Sequence, residues 1–293
     1  MPFWGDPGHF REAVESVIAQ DDSAWRLLVV DDVYPDTAPG EWVSSLGDSR
    51  ISYVRNEANL GPSRNYDKAV GLVSGEFVVI MGCDDRMRPG YVRQVKQLIA
   101  THPDADIIQP GVQVINEHGE HSAPLPDRIK RALAPKTRGT LRLSGERAAV
   151  SLLHGNWTYF PSLVWRRTRI AGGFRPDLNV VQDLAKILEI IFDGGSLVVD
   201  DEAVFEYRRH SASVSSRTAV DGSKYGQELR LFREIAIESD ARGWRKAARA
   251  ARLHWTSRLS ALASVPSAIK AKHTQGRRAL LRHAFGRTGR PTG

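Results

Sequence analysis

The sequence predicts an α/β fold with a mostly parallel central sheet flanked by helices, followed by a basic helical extension at the C-terminus. Three observations carry this. Short apolar runs alternate with segments of helical spacing through most of the chain. Two of those runs end abruptly in carboxylate pairs, Asp31-Asp32 and Asp84-Asp85. The charge is also divided: residues 241–293 hold 13 Lys or Arg and no Asp or Glu, so with +7 for the whole chain the remainder is net negative. The expected division is residues 1–221 as one catalytic-type domain and 222–293 as the basic helical region.

The chain opens in loop chemistry, Pro2-Phe3-Trp4-Gly5-Asp6-Pro7-Gly8, and a helix follows in which Phe10, Val14, Val17 and Ile18 share one face. A sheet of this kind places a strand before such a loop, whereas this sequence begins at the loop itself. Arg26 to Val30 reads as a strand, Pro35 and Asp36 as a turn, and Ile51 to Val54 as a further strand. Asn59-Leu60-Gly61-Pro62-Ser63-Arg64-Asn65 then opens a helix through Tyr66, Ala69, Val70 and Val73. Phe77 to Met81 is too short for a comfortable helix and reads as a strand buried on both faces.

Beyond Asp85 the pattern gives a helix from Pro89 to Ala100 and a strand or hairpin from Asp106 to Ile115 closing at Glu117-His118-Gly119. Residues 120–143, rich in Pro and basic side chains, read as a flexible or substrate-facing loop. A helix from Glu146 to Leu153, an aromatic turn with Trp157, Tyr159 and Phe160, and a strand from Leu163 to Trp165 follow. A helix from Leu184 to Phe192 and a strand from Leu197 to Val199 lead to the basic run Tyr207-Arg208-Arg209-His210. In the basic region one amphipathic helix runs from Gln227 to Ile237. A longer one carries Trp244, Ala248, Ala251, Trp255, Leu259 and Leu262 on one side and arginines on the other.

At 293 residues with 41% hydrophobic content the chain can bury an ordinary soluble core. No apolar run approaches the roughly 20 residues that span a bilayer, and the N-terminus lacks the regions of a signal peptide. The expected location is cytoplasmic, with peripheral contact at the inner face of the membrane through the C-terminal helices. The single cysteine, Cys83, excludes an internal disulfide and a thiolate zinc site and reads as a packed side chain. No strand is followed by the spaced glycines of a dinucleotide fingerprint, which argues against an oxidoreductase. A nucleic-acid-binding role led by the basic tail is disfavoured because the half that carries the motifs is acidic.

Carboxylates at the carboxyl ends of strands in an open α/β sheet face the crevice where ligands collect, and hard oxygen donors there suit a divalent cation or a sugar hydroxyl. The competing reading is that they solvate strand ends and begin turns. Asp183 lies just ahead of the apolar segment Leu184 to Leu188, so it reads either as a general base or as a helix N-cap.

In this order the motifs resemble those of family-2 glycosyltransferases, which have the GT-A fold. Pro2 and Phe3 resemble the first nucleotide-contacting loop. Asp31 and Asp32 resemble the strand end that meets the nucleobase and ribose. Asn59 and Gly61 with Arg64 resemble the Asn-x-Gly loop near the base or phosphates. Cys83-Asp84-Asp85 occupies the place of the Asp-x-Asp motif, with Gly82 where the first aspartate would stand. Gln182-Asp183 occupies the place of the Glu-Asp pair that supplies the base. The resemblance implies Asp84 on the ribose, Asp85 and His210 on Mg2+ or Mn2+, Arg208 or Arg209 near the diphosphate, and Asp183 as catalytic base. It implies an inverting, metal-dependent transfer from a nucleotide-sugar donor, UDP-linked by expectation, to a glycan or lipid-linked acceptor in cell-surface polysaccharide or glycolipid synthesis. With Gly82 and Gln182 departing from the pattern, a nucleotide-sugar-binding protein without catalysis is the alternative.

Overall fold

A computed structural model describes residues 1–209 and 223–286. Nine strands are formed among them: β1 (Pro2–Phe3), β2 (Leu27–Asp31), β3 (Ile51–Arg55), β4 (Phe77–Val79), β5 (Arg86–Met87), β6 (Ile107–Ile115), β7 (Thr140–Ser144), β8 (Val164–Arg166) and β9 (Ser196–Arg208). The helices of the first part are α1 (Pro7–Ile18), α2 (Ala38–Ser45), α3 (Pro62–Leu72), α4 (Tyr91–Thr101), α5 (Leu125–Leu133), α6 (Gly145–Leu153), α7 (Arg167–Ile170) and α8 (Gln182–Phe192). The C-terminal part consists of α9 (Ser223–Ala241), α10 (Arg245–Leu253), α11 (Trp255–Lys270) and α12 (Thr274–Phe285).

The strands make two sheets. β1, β2 and β3 are parallel neighbours, with Pro2 opposite Val30 and Asp31 opposite Arg55. The chain's opening residues therefore supply a short strand of their own. The second sheet runs β4-β8-β6-β9-β5, with β7 also paired to β9. Within it β6 and β9 are parallel and the other pairs antiparallel.

Local chemistry accounts for the helices. Asp6 caps α1 by accepting the His9 amide, and Pro7 begins the helix where its missing N–H is no loss. Phe10, Ala13, Val14 and Val17 then bury one face, and Phe10 stacks on Phe3 at 4.0 Å between ring centres. This apolar cluster extends through Val29, Leu98, Ile108 and Phe205. A second cluster gathers Trp157, Trp165, Ile187 and Ile191, and α9 and α10 join it through Phe232 and Ala251. A third, smaller cluster joins α9, α11 and α12 around Tyr225, Ala261 and Leu280.

Four expectations are revised. Residues 120–143 contain helix α5 and strand β7, because Pro124 and Pro126 flank a helix start and β7 pairs along β9 from Thr140 opposite Asp200 to Ser144 opposite Ser196. The strand expected at Leu197–Val199 runs on to Arg208, paired with β6 on either side of an irregularity at its polar middle. Helix α2 fills a stretch in which the pattern gave no element. The long basic helix is broken in two at His254, whose φ of 28° departs from helical geometry. That buried ring stacks on Phe232 at 5.1 Å and meets His283 at 5.2 Å. Among the described residues no helix is long and apolar enough to cross a membrane.

Candidate active site

β2 ends in two carboxylates with separate tasks. Asp31, fully buried, accepts from the Tyr34 amide at 2.7 Å and from the Tyr53 hydroxyl and Arg55 guanidinium, both at 2.5 Å. Asp32 gathers the neighbouring loop. Its Oδ1 accepts from the Leu60 amide at 2.7 Å and Asn56 Nδ2 at 2.8 Å, and its Oδ2 from the Gly61 amide at 2.8 Å. Asn59 Nδ2 returns to the Asp32 carbonyl at 2.9 Å. Gly61 turns the chain into α3 at φ 76°, where a Cβ would be strained. Behind the loop, buried Asn56 and Asn65 continue the network to the Val30 carbonyl. Asn56 was not singled out from the sequence, because its partner Asp32 lies at the end of a distant strand.

Arg64 emerges exposed from the first turn of α3, with no ion-pair partner among the described residues. Phe3 is placed differently from expectation: its ring is wholly buried between Phe10 and Tyr34. Trp4 is the exposed aromatic of that loop, 53% accessible and edge-on to Tyr34.

Asp84 and Asp85 turn toward the space over Gly82. A Cβ on Gly82 would collide with Asp85 Oδ2 and stand 2.8 Å from Asp84 Oδ1. The residue missing from the motif thus vacates the volume into which both remaining carboxylates point. Asp85 is buried; Oδ1 accepts from the Arg208 amide at 2.9 Å, while Oδ2 has no hydrogen-bond partner among the described residues. Burial first, and the adjacent Asp84 second, push the Asp85 carboxyl well above the ordinary range. An orphaned, desolvated oxygen beside a second carboxylate fits a divalent cation whose remaining ligands are water and phosphate. Among the described residues no group of three or more His, Cys, Asp or Glu is assembled to hold a metal. His210, the other expected ligand, lies outside the described residues. Cys83 is packed against Gly5, and burial together with Asp84 pushes its thiol up to about 12.

The two arginines after β9's aromatic end are already engaged. Arg208, fully buried, donates Nε to the Asp84 carbonyl at 2.7 Å, Nη1 to the Glu117 carbonyl at 2.9 Å and Nη2 to Glu12 at 2.5 Å. Arg209 pairs in bidentate fashion with buried Asp127 at 2.9 and 3.0 Å. Both guanidinium groups expected near the diphosphate are thus held by protein groups, Arg208 against the acidic turn.

Asp183 is the second residue of α8, behind N-cap Val181, so it does not cap the helix itself. Helix N-terminal amides favour a negative charge there. Asn156 Nδ2 donates to Asp183 Oδ2 at 2.9 Å. Burial raises the Tyr66 hydroxyl pKa, and the charges of Cys83, Asp84, Asp85 and Asp183 add to it in that order. The Tyr66 ring rests against Phe160 at 5.4 Å and Phe174 at 6.4 Å. Of the three aromatics of that turn, Trp157 is buried, Phe160 packs against Trp165, and Tyr159 is partly buried.

A cavity of about 630 Å³ lies between β6, β9 and the end of α5, walled by residues that include Lys130, Lys136, Trp157 and Tyr159. Asp31, Asp32, Asp84 and Asp85 are not among its walls.

Residues 1–165 match the family described as glycosyl transferase family 2. Over 106 residues the chain is 31% identical to the putative colanic acid biosynthesis glycosyl transferase WcaA of Escherichia coli K12, covering 35% of this chain and 38% of that protein. It is 24% identical over 211 residues to the succinoglycan biosynthesis protein ExoO of Rhizobium meliloti, covering 71% and 59%. The chain thus spans less than two thirds of the length of these curated relatives. Among solved structures, S. aureus TarS 1–349 in complex with UDP-GlcNAc superposes with a TM-score of 0.63 at 14% identity, covering 99% of this chain and 91% of that one. The mannosyltransferase PcManGT from Pyrobaculum calidifontis, in complex with GDP-Man and Mn2+, gives 0.62 at 13% identity, covering 97% and 84%. At these identities the likeness is one of fold.

Proposed function

The chain belongs to glycosyl transferase family 2, and from that premise we propose that it transfers a sugar from a nucleotide-diphosphate donor, with inversion, to a glycan or lipid-linked acceptor in cell-surface polysaccharide synthesis. The observation that carries this reading is the pair Asp84 and Asp85 turned over Gly82, with one Asp85 oxygen left without a hydrogen-bond partner among the described residues.

Transfer requires a base for the acceptor hydroxyl and a counter-charge for the departing diphosphate. Asp183, oriented by Asn156, takes the proton as the acceptor oxygen bonds to the anomeric carbon. The bond from that carbon to the diphosphate oxygen breaks on the opposite face, which inverts configuration and releases the nucleoside diphosphate. Asp84 and Asp85 would hold Mg2+ or Mn2+ over Gly82, supplying Lewis-acid neutralisation of the diphosphate. At an effective dielectric of about 20, unit opposite charges about 4 Å apart attract by about 4 kcal/mol, a large share of such a barrier. Exposed Arg64 at the start of α3 and the Asp32-organised loop face the nucleotide. The names of the two curated relatives support the polysaccharide context, and the two ligand-bound structures support a nucleotide-sugar donor. Exposed Leu253, Trp255 and Leu259 among the cations of α10 and α11 suit peripheral contact with anionic lipid, where a lipid-linked acceptor would be found.

Donor turnover is measured with UDP- and GDP-sugars, with Mn2+, Mg2+ and chelator, for the wild type and Asp183→Asn. The expected result is metal-stimulated turnover that falls about 10²- to 10⁴-fold in the variant at unchanged melting temperature. Wild-type turnover by Asp183→Asn would overturn the assignment.

A further inference from the structure

The cavity between β6, β9 and α5 is joined to Asp183 by an unbroken run of hydrogen bonds. Asn156, which donates to Asp183, accepts through Oδ1 from the Thr158 hydroxyl at 2.6 Å and the Thr158 amide at 3.2 Å. The Thr158 carbonyl accepts from Lys130 Nζ at 2.7 Å, and Lys130 stands in the cavity wall. Its ammonium also lies 4.5 Å from the centre of the Tyr159 ring, a second wall residue.

The charge of the wall is one-sided. Arg131, Lys136 and Arg138 join Lys130 there, and among the described residues those three side chains have no hydrogen-bond or ion-pair partner. The two wall acids are occupied: Asp200 accepts from Gln94 at 2.8 Å and the Glu202 amide at 3.2 Å, and Asp201 accepts from the Gly139 amide at 3.1 Å. The surplus is positive, in a cavity whose volume falls in the roughly 300–1,000 Å³ range of small-ligand sites. Partly buried Tyr159, with Lys130 over its ring and Tyr207 beside it, contributes the aromatic surface that remains in the wall, a surface of the kind on which a pyranose packs.

We propose that this cavity is an acceptor subsite for a saccharide unit that carries an anionic substituent, carboxylate or phosphate, with Tyr159 against the sugar and Arg131, Lys136 and Arg138 around the charge. The inference rests on Asp183 being the base: Asp183 is not itself a wall residue, and Asn156, Thr158 and Lys130 connect it to the wall. The carboxylate or phosphate receives charge-assisted hydrogen bonds from arginine forks and a lysine that have no other partner among the described residues.

The test is a binding titration by saturation-transfer NMR on the full chain, using methyl β-D-glucuronide, glucose 6-phosphate, methyl β-D-glucoside and inorganic phosphate. The same titrations are repeated on the double variant Lys136→Ala/Arg138→Ala, whose two side chains are exposed and whose fold is checked by circular dichroism. One anionic sugar is expected to bind about tenfold more tightly than the neutral glucoside and to lose about tenfold in the double variant. Which of the two binds identifies the substituent. Equal binding of the neutral glucoside, binding of inorganic phosphate as tight as that of glucose 6-phosphate, or anion binding unchanged in the double variant would each overturn the inference. A parallel titration with UDP or GDP and Mn2+ separates the two levels. If the nucleotide fails to bind, the transferase reading fails; if only the saccharide arms fail, this inference alone does.

Discussion

Arg208→Met should destabilise the protein by about 3–5 kcal/mol, and the structure says why. The arginine side chain is fully buried and donates to the Asp84 and Glu117 carbonyls as well as to Glu12. Methionine matches its length but leaves both carbonyls without those donors, at about 1–3 kcal/mol each. The Glu12 carboxylate is 44% exposed, so its loss adds only about 0–1 kcal/mol. Burying a thioether instead of a charge recovers part of this, which sets the upper bound. Asp85 keeps its own bond, because it accepts from the Arg208 backbone amide and not from the guanidinium. Urea denaturation of wild type and variant measures the difference, with the midpoint falling at an unchanged slope. A variant within about 0.5 kcal/mol of wild type would refute the claim that this side chain braces the acidic turn.

Two further outcomes follow from particular groups. Burial pushes His254 and His283 down from an ordinary value of 6.5 to about 4, with Arg258 beside both adding to the shift, Lys224 facing His283 and Glu228 opposing at His254. The unfolded chain therefore binds more protons between these values, so stability is complete above about pH 6.5 and is lost as pH falls toward 4. Melting temperature against pH should show this decline, and His254→Asn, which tolerates the same backbone angle, should flatten it. Gly111→Ala would put a Cβ 2.5 Å from the Glu202 carbonyl oxygen and 2.7 Å from that of Asp201, at the irregularity between β6 and β9. A loss of about 2 kcal/mol or more in thermal unfolding is expected, because backbone on the facing strand cannot yield as a side-chain tip would.

Much of this was legible in the residues. Apolar runs that stop at Asp31-Asp32 and Asp84-Asp85 gave the crevice, since a strand end is a local pattern. The helix bearing Asp183 and the Asn59–Gly61 loop were legible for the same reason. The engagement of Arg208 was not, because its partners Glu12, Asp84 and Glu117 come from distant parts of the chain and no local spacing encodes them. Phe3 was read as part of a contact loop because loop residues surround it, yet tertiary burial against Phe10 decides its place. Proline concealed α5: the residue that interrupts a helix also starts one, and only β7's pairing with β9 shows that the segment is ordered. The break at His254 is likewise a tertiary outcome, drawn by stacking on Phe232.

Asp32 has one consequence for kinetics. Because it already grips the Leu60 and Gly61 amides while Asn59 reaches back to its carbonyl, the segment that would greet the nucleotide is moulded before any ligand arrives. Little chain freedom remains to be surrendered at encounter, so association can proceed as a docking step onto a stiff template, and its entropic toll falls on the ligand more than on the protein.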